Sequence, residues 1–355
     1  MNENIAYMVR YSHIMDKKEE TISPIVKEKA PLVLAEINQA SSILLHCHPS
    51  PDPDSVGSVL AMKFALEQLG KKVTVIKGDS DIPEAFIHFP GAEDIVKKNF
   101  FELDLKDFDL FISLDSGSPD MISRLKPIIF PKALKIVVID HHRTNTNYGY
   151  INLVDPVYPA CGQILFDLFK EWGIKLTPEI AKNLFMGMYT DTGGFKYEGT
   201  TWRTFYIAKK LTEVAPDFVA LISDMENTNK PDAVFFQGLA FASIETVLGG
   251  RMAISAVSLE QLKSKNIEPH TVVSHSVSSV MRTVVGWNIC ASMVETELDK
   301  IKISLRTRDA LKYDVSKLAV ALGGGGHKAA AGVVLNMSLE EAKVLLVNKA
   351  KELYE

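Results

Sequence analysis

The stretch Val137-Val138-Ile139-Asp140-His141-His142 carries an apolar, β-branched run straight into an acid and two imidazoles. A parallel strand is covered on both faces and free only at its end, so a run of this kind delivers ligand-type side chains to the edge of a sheet. Three further places repeat the device. Ile43-Leu44-Leu45-His46-Cys47-His48 leads into Asp52 and Asp54, residues 110–114 lead into Asp115, and residues 186–190 lead into Asp191. Four such termini imply one shared metal site, and they restrict the fold to one that gathers several chain ends in one place.

The surrounding sequence alternates in the way such a fold requires. Helical spacing over 22–40 puts Val26, Leu32, Val33 and Ile37 inward, with Pro31 as a kink or the true start. A helix over 55–69, stopped by Gly70, precedes a strand over 72–76; strands follow at 109–114 and 135–139, and helical pieces at 164–169 and 179–186. This rhythm predicts an α/β fold, a mostly parallel sheet with helices on both faces and ligands at the carboxyl ends of its strands. The 355 residues, 46% of them hydrophobic, suffice for two cores. The expected domains are a metal-binding catalytic domain over 22–200, a helical connector over 201–246, and a smaller α/β domain over 247–355. Strands near 251–257, 289–294 and 300–306, a helix over 315–321 and an amphipathic tail helix over 339–353 make up the last of these.

Composition narrows the function. Cys47, Cys161 and Cys290 are odd in number, far apart and never in Cys-x-x-Cys spacing, which supports neither a disulfide framework nor a zinc ribbon and fits a reducing compartment. No apolar run reaches the roughly 18 residues of a membrane helix, and the first residues lack a signal peptide's hydrophobic centre. A cytoplasmic protein with no membrane partner is expected, and a homodimer is left open. The net charge of -5 argues against coating long nucleic acid. Short phosphorylated ligands stay open, since divalent cations in a carboxylate-rich site invert the local field.

Within His48-Pro49-Ser50-Pro51-Asp52-Pro53-Asp54, the i, i+2 spacing of the two acids would in an extended loop direct them toward two neighbouring ions. The helix opening at Ser55-Val56-Gly57-Ser58 adds amides suited to an anion. Standing alone, this is a proline-rich turn with exposed acids, Asp115 is a cap or turn acid, and Asp191 a capped turn; together they surround one place. His141 and His142 alternate across the chain, so one is a ligand and the other a substrate contact or acid. The set His48, Asp52, Asp54, Asp115, His141 and Asp191 is rich in hard oxygen donors and has no thiolate, which suits manganese or magnesium better than structural zinc. Two ions about 3.5 to 4 Å apart clamp a phosphoryl oxygen and activate water. Farther on, Gly323-Gly324-Gly325-Gly326-His327 reads either as a linker or as a loop embedded in a fold, with the small residues and apolar strand that follow favouring the second. Arg306 and Arg308, on one side of a strand, suit a terminal phosphate or a base face, or are a solvated pair.

In this order the motifs resemble the DHH/DHHA1 phosphoesterase family: His48-x3-Asp52-x-Asp54, Asp115, Asp140-His141-His142, Asp191-Thr192-Gly193-Gly194-Phe195, Arg306 and Gly324-Gly325-Gly326-His327, over residues 40–335. The resemblance implies two Mn²⁺ ions, with Mg²⁺ as the alternative, and an active site in a cleft between a DHH domain and a DHHA1 substrate domain. It implies that His48, Asp52 and Asp115 hold one ion, and that Asp54, bridging Asp115, His141 and Asp191 hold the other. Asp140 would orient a histidine and His142 would contact the scissile phosphate. Arg306, Arg308 and Gly324, Gly325, Gly326 and His327 would hold the nucleotide. The compact length resembles the nanoRNase and pAp-phosphatase branch, so the expected activity is hydrolysis of short RNA or DNA oligonucleotides or linear dinucleotides such as pApA to mononucleotides by metal-activated water. A 3′-phosphoadenosine 5′-phosphate phosphatase or exopolyphosphatase is the enzymatic alternative, and a silent nucleotide-binding protein the other. Pro159-Ala160-Cys161-Gly162-Gln163 departs from the family's Ser/Thr-rich stretch with a following Glu, and the segment up to about Glu28 is not covered by its motifs.

Overall fold

The computed structural model describes residues 22–197, 199–228, 230–269 and 277–355. The chain divides between Thr228 and Asn229 into two compact units. In the first, β1 (Ser42–His46), β2 (Lys72–Ile76), β3 (Leu110–Leu114), β4 (Lys135–Asp140) and β5 (Ile151–Val154) form a wholly parallel sheet ordered β2-β1-β3-β4-β5. The order reverses direction at β1 and β3, and in open parallel sheets the crevice beyond such a reversal is where ligands bind. β5 was not foreseen, since four residues with Asn152 among them carry too little periodicity to read as a strand.

Alternation along the strands builds two cores. Ile43, Leu45, Leu110, Ile112, Val137 and Ile139 face one side; Leu44, Phe111, Ile136 and Val138 face the other. The first side is covered by α1 (Pro24–Gln39), α2 (Pro53–Gln68), α3 (Cys161–Glu171), α4 (Pro178–Asp191), α5 (Trp202–Val214) and α6 (Phe218–Glu226). On the second side the helical cover is short: 3-10 turns at Phe100–Glu102 and Leu105–Asp107 bring Phe100, Phe101 and Leu105 onto the sheet.

In α1 the buried stripe is Val26, Ala30, Val33 and Ile37, while Leu32, expected inward, is 47% exposed. Helical rotation of about 100° per residue cannot bury Leu32 and Val33 equally, and Val33 lies on the stripe. Pro31 neither starts nor ends the helix: Ser23 caps it, its hydroxyl accepting from the Ile25 amide at 3.2 Å, and Pro31 sits on the exposed side, where water can satisfy the carbonyl it leaves unbonded.

The second unit holds a mostly antiparallel sheet ordered β10-β11-β9-β8-β7-β6, from β6 (Glu245–Val247), β7 (Met252–Val257), β8 (Ile289–Glu297), β9 (Lys300–Thr307), β10 (Gly325–His327) and β11 (Ala330–Asn336). Its one parallel pair is β7 with β8. α7 (Pro231–Ala242) packs on one face through Phe236 and Ala240. α8 (Leu259–Ser264) and α9 (Val277–Met281) join α7 on that face through Leu262, Val277 and Met281, and α10 (Val315–Ala321) and α11 (Leu339–Tyr354) pack on the other. The helices of the expected connector are thus shared out, α5 and α6 joining the first core through Ile207, Leu211 and Leu221, and α7 the second. Among the described residues no helix is long and apolar enough to cross a membrane.

Candidate metal centre

The centre lies wholly in the first unit, beyond the carboxyl ends of β1, β3 and β4 and at the last residue of α4. Three groups of donors converge, each with its ligand atoms within 4.8 Å of one another: His48, Asp52 and Asp115; Asp115, Asp140, His141 and His142; and Asp54, His141 and Asp191. Asp115 belongs to the first two and His141 to the last two, so the three are one continuous site. All six expected ligands are in it, together with Asp140 and His142.

Local structure explains how each arrives. Asp52 and Asp54 are not in an extended loop as expected, because Pro53 has the fixed φ of a first helical residue and starts α2 there. Asp52 is the N-cap, its carboxylate accepting from the Ser55 amide at 2.9 Å and lying 3.1 Å from His48 Nε2. That amide is therefore occupied by the chain's own acid, which answers the expectation of an anion site at the start of the helix. Asp54, one residue into the helix, is fully buried and accepts from the amides of Cys161 (2.6 Å) and Gly162 (3.0 Å) at the start of α3 and from the Ser58 hydroxyl (3.3 Å). Here the stretch that departs from the Ser/Thr-rich pattern works through backbone N–H groups, which do not depend on side-chain identity.

Asp115 follows β3 with φ 53°, the left-handed region that Asp visits at some cost. The turn is tied on all sides. The Asp115 amide donates to the Ile139 carbonyl at 3.0 Å, the Ser116 hydroxyl donates to the Leu114 carbonyl at 3.0 Å, and the Ser116 carbonyl accepts from Tyr148 Oη at 3.1 Å and from Asn145 Nδ2 at 3.4 Å. Tyr148 also meets Ser113 Oγ at 2.6 Å, which in turn meets His46 Nε2 at 2.9 Å. His46 Nδ1 lies against the Cys47 carbonyl, an acceptor only, so that nitrogen carries the proton; burial lowers the pKa to about 4 and keeps the ring neutral. Replacing Tyr148 by Phe removes this tie and leaves the Ser116 carbonyl short of a donor, so unfolding free energy should fall by about 1 kcal/mol, read from chemical denaturation; an unchanged midpoint would show that the tie carries no stability.

The carboxylate of Asp140 is taken up by its neighbours. Its Oδ1 accepts from the His141 amide at 2.8 Å and pairs with His142 Nδ1 at 2.7 Å, and its Oδ2 accepts from Asn145 at 2.6 Å. His141 points its Nε2 at Asp115 (3.3 Å), Asp191 (3.4 Å) and Asp54 (4.0 Å), whereas the side chain of His142 is 45% exposed. The two rings do not diverge as alternation predicts: their centroids are 4.4 Å apart and both offer an atom to one donor group, because β4 ends at Asp140 and strand geometry stops there, though His141 is the more buried of the two.

The electrostatics fit cations. Burial, then Asp191 and Asp115, push the Asp54 carboxyl well above the usual range, and burial above all raises Asp115 to about 6. Burial works against charge on His141, but Asp115, Asp191 and Asp54 outweigh it and hold the imidazole up at about 11. His48 Nδ1, Asp115 Oδ1 and His141 Nε2 are buried without a hydrogen-bond partner among the described residues, the carboxylate contacts of His141 being off hydrogen-bond geometry. Orphaned donor atoms beside carboxylates that resist ionising are what divalent ions would satisfy.

In the second unit Arg306, near the end of β9, stands in register with Ala330, and Ala330 with His327, so the arginine and histidine flank one row of the sheet. Gly324 and Gly326 are required there: a Cβ would come within 2.3 Å of the Gly332 carbonyl and 2.5 Å of Ala331 Cα, respectively. Gly325 lies between them in β10, so the run is an edge strand. Arg308 diverges from the expected pairing with Arg306, since β9 ends at Thr307 and Arg308 Nη1 reaches the Thr283 carbonyl at 3.4 Å.

Asn145, Tyr148, Ser58 and the Cys161 and Gly162 amides were missed. Asn145 and Tyr148 read as loop residues, and backbone amides have no sequence signature at all.

Residues 42–188 match the DHH family, N-terminal domain. The bifunctional oligoribonuclease and PAP phosphatase NrnA of Thermus thermophilus is 27% identical over 331 residues, 92% of this chain and 94% of that protein. The protein of the same name from Bacillus subtilis is 24% identical, over 89% of this chain and 96% of its own length. The crystal structure of an exopolyphosphatase-related protein from Bacteroides fragilis superposes with a TM-score of 0.80 at 22% identity, covering 92% of this chain and 96% of that one, and shows a shared fold.

Proposed function

We propose, from the match of residues 42–188 to the DHH family, N-terminal domain, that the chain is a cytoplasmic metal-dependent phosphodiesterase hydrolysing short oligonucleotides or linear dinucleotides to mononucleotides. The observation that carries the reading is the continuous donor set joined by Asp115 and His141. The names of the NrnA relatives, which align over nearly their whole length, supply the substrate class.

His48, Asp52 and Asp115 would hold one divalent ion and Asp54, Asp115, His141 and Asp191 a second, with Mn²⁺ or Mg²⁺ matching the oxygen-rich set. Bound there, such ions supply Lewis-acid stabilisation of a phosphoryl oxygen and a more acidic water. The protein's own groups do the rest. The α3 amides fix Asp54, Asp140 fixes the His141 backbone and the His142 ring, and the exposed side of His142 is free to donate to a non-bridging phosphate oxygen. Asp140 is the main reason that the His142 imidazole is held above its ordinary pKa, which favours the donating, protonated form. Arg306 and the edge strand with Gly324, Gly325, Gly326 and His327 would bind the nucleotide.

A second reading, dephosphorylation of 3′-phosphoadenosine 5′-phosphate, is favoured by the paired activities in the relatives' names. One assay with dinucleotide, 3′-phosphoadenosine 5′-phosphate and polyphosphate, with and without Mn²⁺, separates the readings. Mononucleotide release from the dinucleotide only with metal is expected; binding of the dinucleotide without turnover in any metal would overturn the enzyme.

Metal uptake should also release protons. Near pH 7 the ion-free centre keeps a proton on His141, held at about 11, and resists ionising Asp54. Ligands must shed those protons, so metal affinity should rise with pH from 6 to 8. Calorimetric titration of Mn²⁺ in buffers of different ionisation enthalpy reads the proton count, and zero protons would contradict this electrostatic picture.

A further inference from the structure

Beyond Asp191 the chain makes a tight turn whose purpose the metal centre does not explain. Thr192, fully buried, organises it: its hydroxyl donates to the Met188 carbonyl at 2.7 Å and accepts from the Phe195 amide at 3.1 Å, and its carbonyl accepts from the amides of Lys196 (2.8 Å) and Tyr197 (2.9 Å). Tyr197 is thereby anchored to the residue that follows Asp191. Gly193 and Gly194 have φ of 59° and 66°, and Phe195 takes 65°, a left-handed conformation that costs a bulky side chain about 1 kcal/mol or more. Phe195 is held in it by rings on three sides, Phe185, Tyr189 and Phe205, at centroid distances of 6.3, 5.8 and 5.3 Å.

The strained turn sets the ring of Tyr197 against Gly193. A Cβ on Gly193 would lie 2.5 to 2.7 Å from three ring carbons, Cε1, Cζ and Cε2, which places it over the face of the ring. One face is therefore covered by bare backbone, yet the residue remains 54% exposed, so the other face is open. The far end of the turn is fixed as well: Gly199 faces Pro159, 3.5 Å from where its Cβ would be, and Pro159 lies two residues before the Cys161 amide that holds Asp54. The turn thus runs along the Asp54 and Asp191 side of the donor set. Trp202 and Phe205, in the first turn of α5, are 53% and 55% exposed.

We propose that Tyr197 is a stacking platform for the nucleobase flanking the phosphate at the metal centre, and so a specificity-determining residue. The proposal rests on the phosphodiesterase reading above, and adds what distinguishes a nucleotide from any other phosphate ester. A planar ring fixed on one face and open on the other accepts any base, because every base has a π-face. Its backbone is pinned to Thr192 and its back face to a glycine, so little freedom is lost on binding.

The test is steady-state kinetics of the wild type, Tyr197→Phe and Tyr197→Ala on a dinucleotide and on the same compound with one base removed at either position. Stacking predicts that Tyr197→Ala raises KM roughly 5- to 150-fold with kcat nearly kept, that Tyr197→Phe restores KM, and that one of the two abasic compounds erases the difference between variants. A 2-aminopurine base in that position should be quenched on binding to wild type and Tyr197→Phe but not to Tyr197→Ala. A fall in kcat with KM unchanged, failure of Tyr197→Phe to rescue, or an equal effect on both abasic compounds would overturn the platform. If wild type itself fails to cleave the dinucleotide, it is the phosphodiesterase reading that falls.

Discussion

An Asp115→Ala enzyme should release no measurable mononucleotide from a dinucleotide, a loss greater than the roughly 10- to 100-fold that removing a residue behind a metal ligand costs. Asp115, like His141, is shared by two donor groups; it is 2% exposed, and among the described residues one of its oxygens lacks a hydrogen-bond partner. Asp140→Ala supplies the comparison: its oxygens are taken up by His141, His142 and Asn145, so its loss should stay within the support range. Equal losses for the two variants would remove the distinction between ligand and support.

Stability should move the opposite way. Burial raises the folded-state pKa of Asp115 from 3.8 to about 6, so the folded, ion-free protein binds this proton more tightly than the unfolded chain. Ionising it opposes folding: the penalty grows as pH rises from about 3.8 to about 6 and is fully present above that. Asp115→Asn removes the charge and nearly keeps the shape. In the absence of divalent ions at pH 8 its Tm should equal or exceed the wild type's, while at pH 4 the difference should vanish. Adding Mn²⁺ should then stabilise the wild type more than the variant, because only a folded centre that binds the ion gains from it. A variant less stable than wild type at pH 8 without metal would show that Asp115 serves the fold through its charge.

How much of this was legible depended on whether a residue's role follows from its neighbours in sequence. Asp115, Asp140 and His141 were legible because each stands at or just after the end of a buried strand, and a continuous apolar run that stops at an acid has few other meanings. Asp54 was legible as a donor and illegible as a buried one, since its burial comes from α3 and α4, more than a hundred residues away in the chain. Asp191 was expected after an apolar, helix-like segment and is the last residue of α4, so the gathering of chain ends is in part the work of a helix. In the second unit the glycine run was legible as embedded, but its edge-strand pairing was not, because Gly carries no face-specific pattern. The turn that carries Tyr197 left no trace in periodicity at all: it depends on three left-handed residues in a row, and φ is not written in hydrophobic pattern.

Gly187→Ala should cost both stability and activity, although helix propensity alone predicts a gain of up to about 1 kcal/mol. At this position α4 passes so close to α2 that an added Cβ would lie 2.3 Å from Asp54 Oδ1, 3.0 Å from its Cα and 3.2 Å from its Cγ. The carboxylate cannot swing away freely, being held by the Cys161 and Gly162 amides, and one turn earlier Gly57 of α2 meets the Asn183 carbonyl in the same way, at 2.4 Å from its own absent Cβ. Overpacking of this kind costs about 1 to 3 kcal/mol, more than the propensity term returns. A displacement of Asp54 of about 1 Å should lower turnover by about 100-fold. Gly238→Ala in α7 is the control, since its Cβ would meet nothing within 4 Å and only propensity should act, raising stability slightly. The cause is separable by adding Asp54→Ala to Gly187→Ala. If the clash is with the carboxylate, the double variant should be more stable than the sum of the two single changes allows, by about 0.5 to 3 kcal/mol, while remaining inactive. Strict additivity would place the fault in the helix backbone and leave the close approach of α2 and α4 without a role in holding the Asp54 carboxylate.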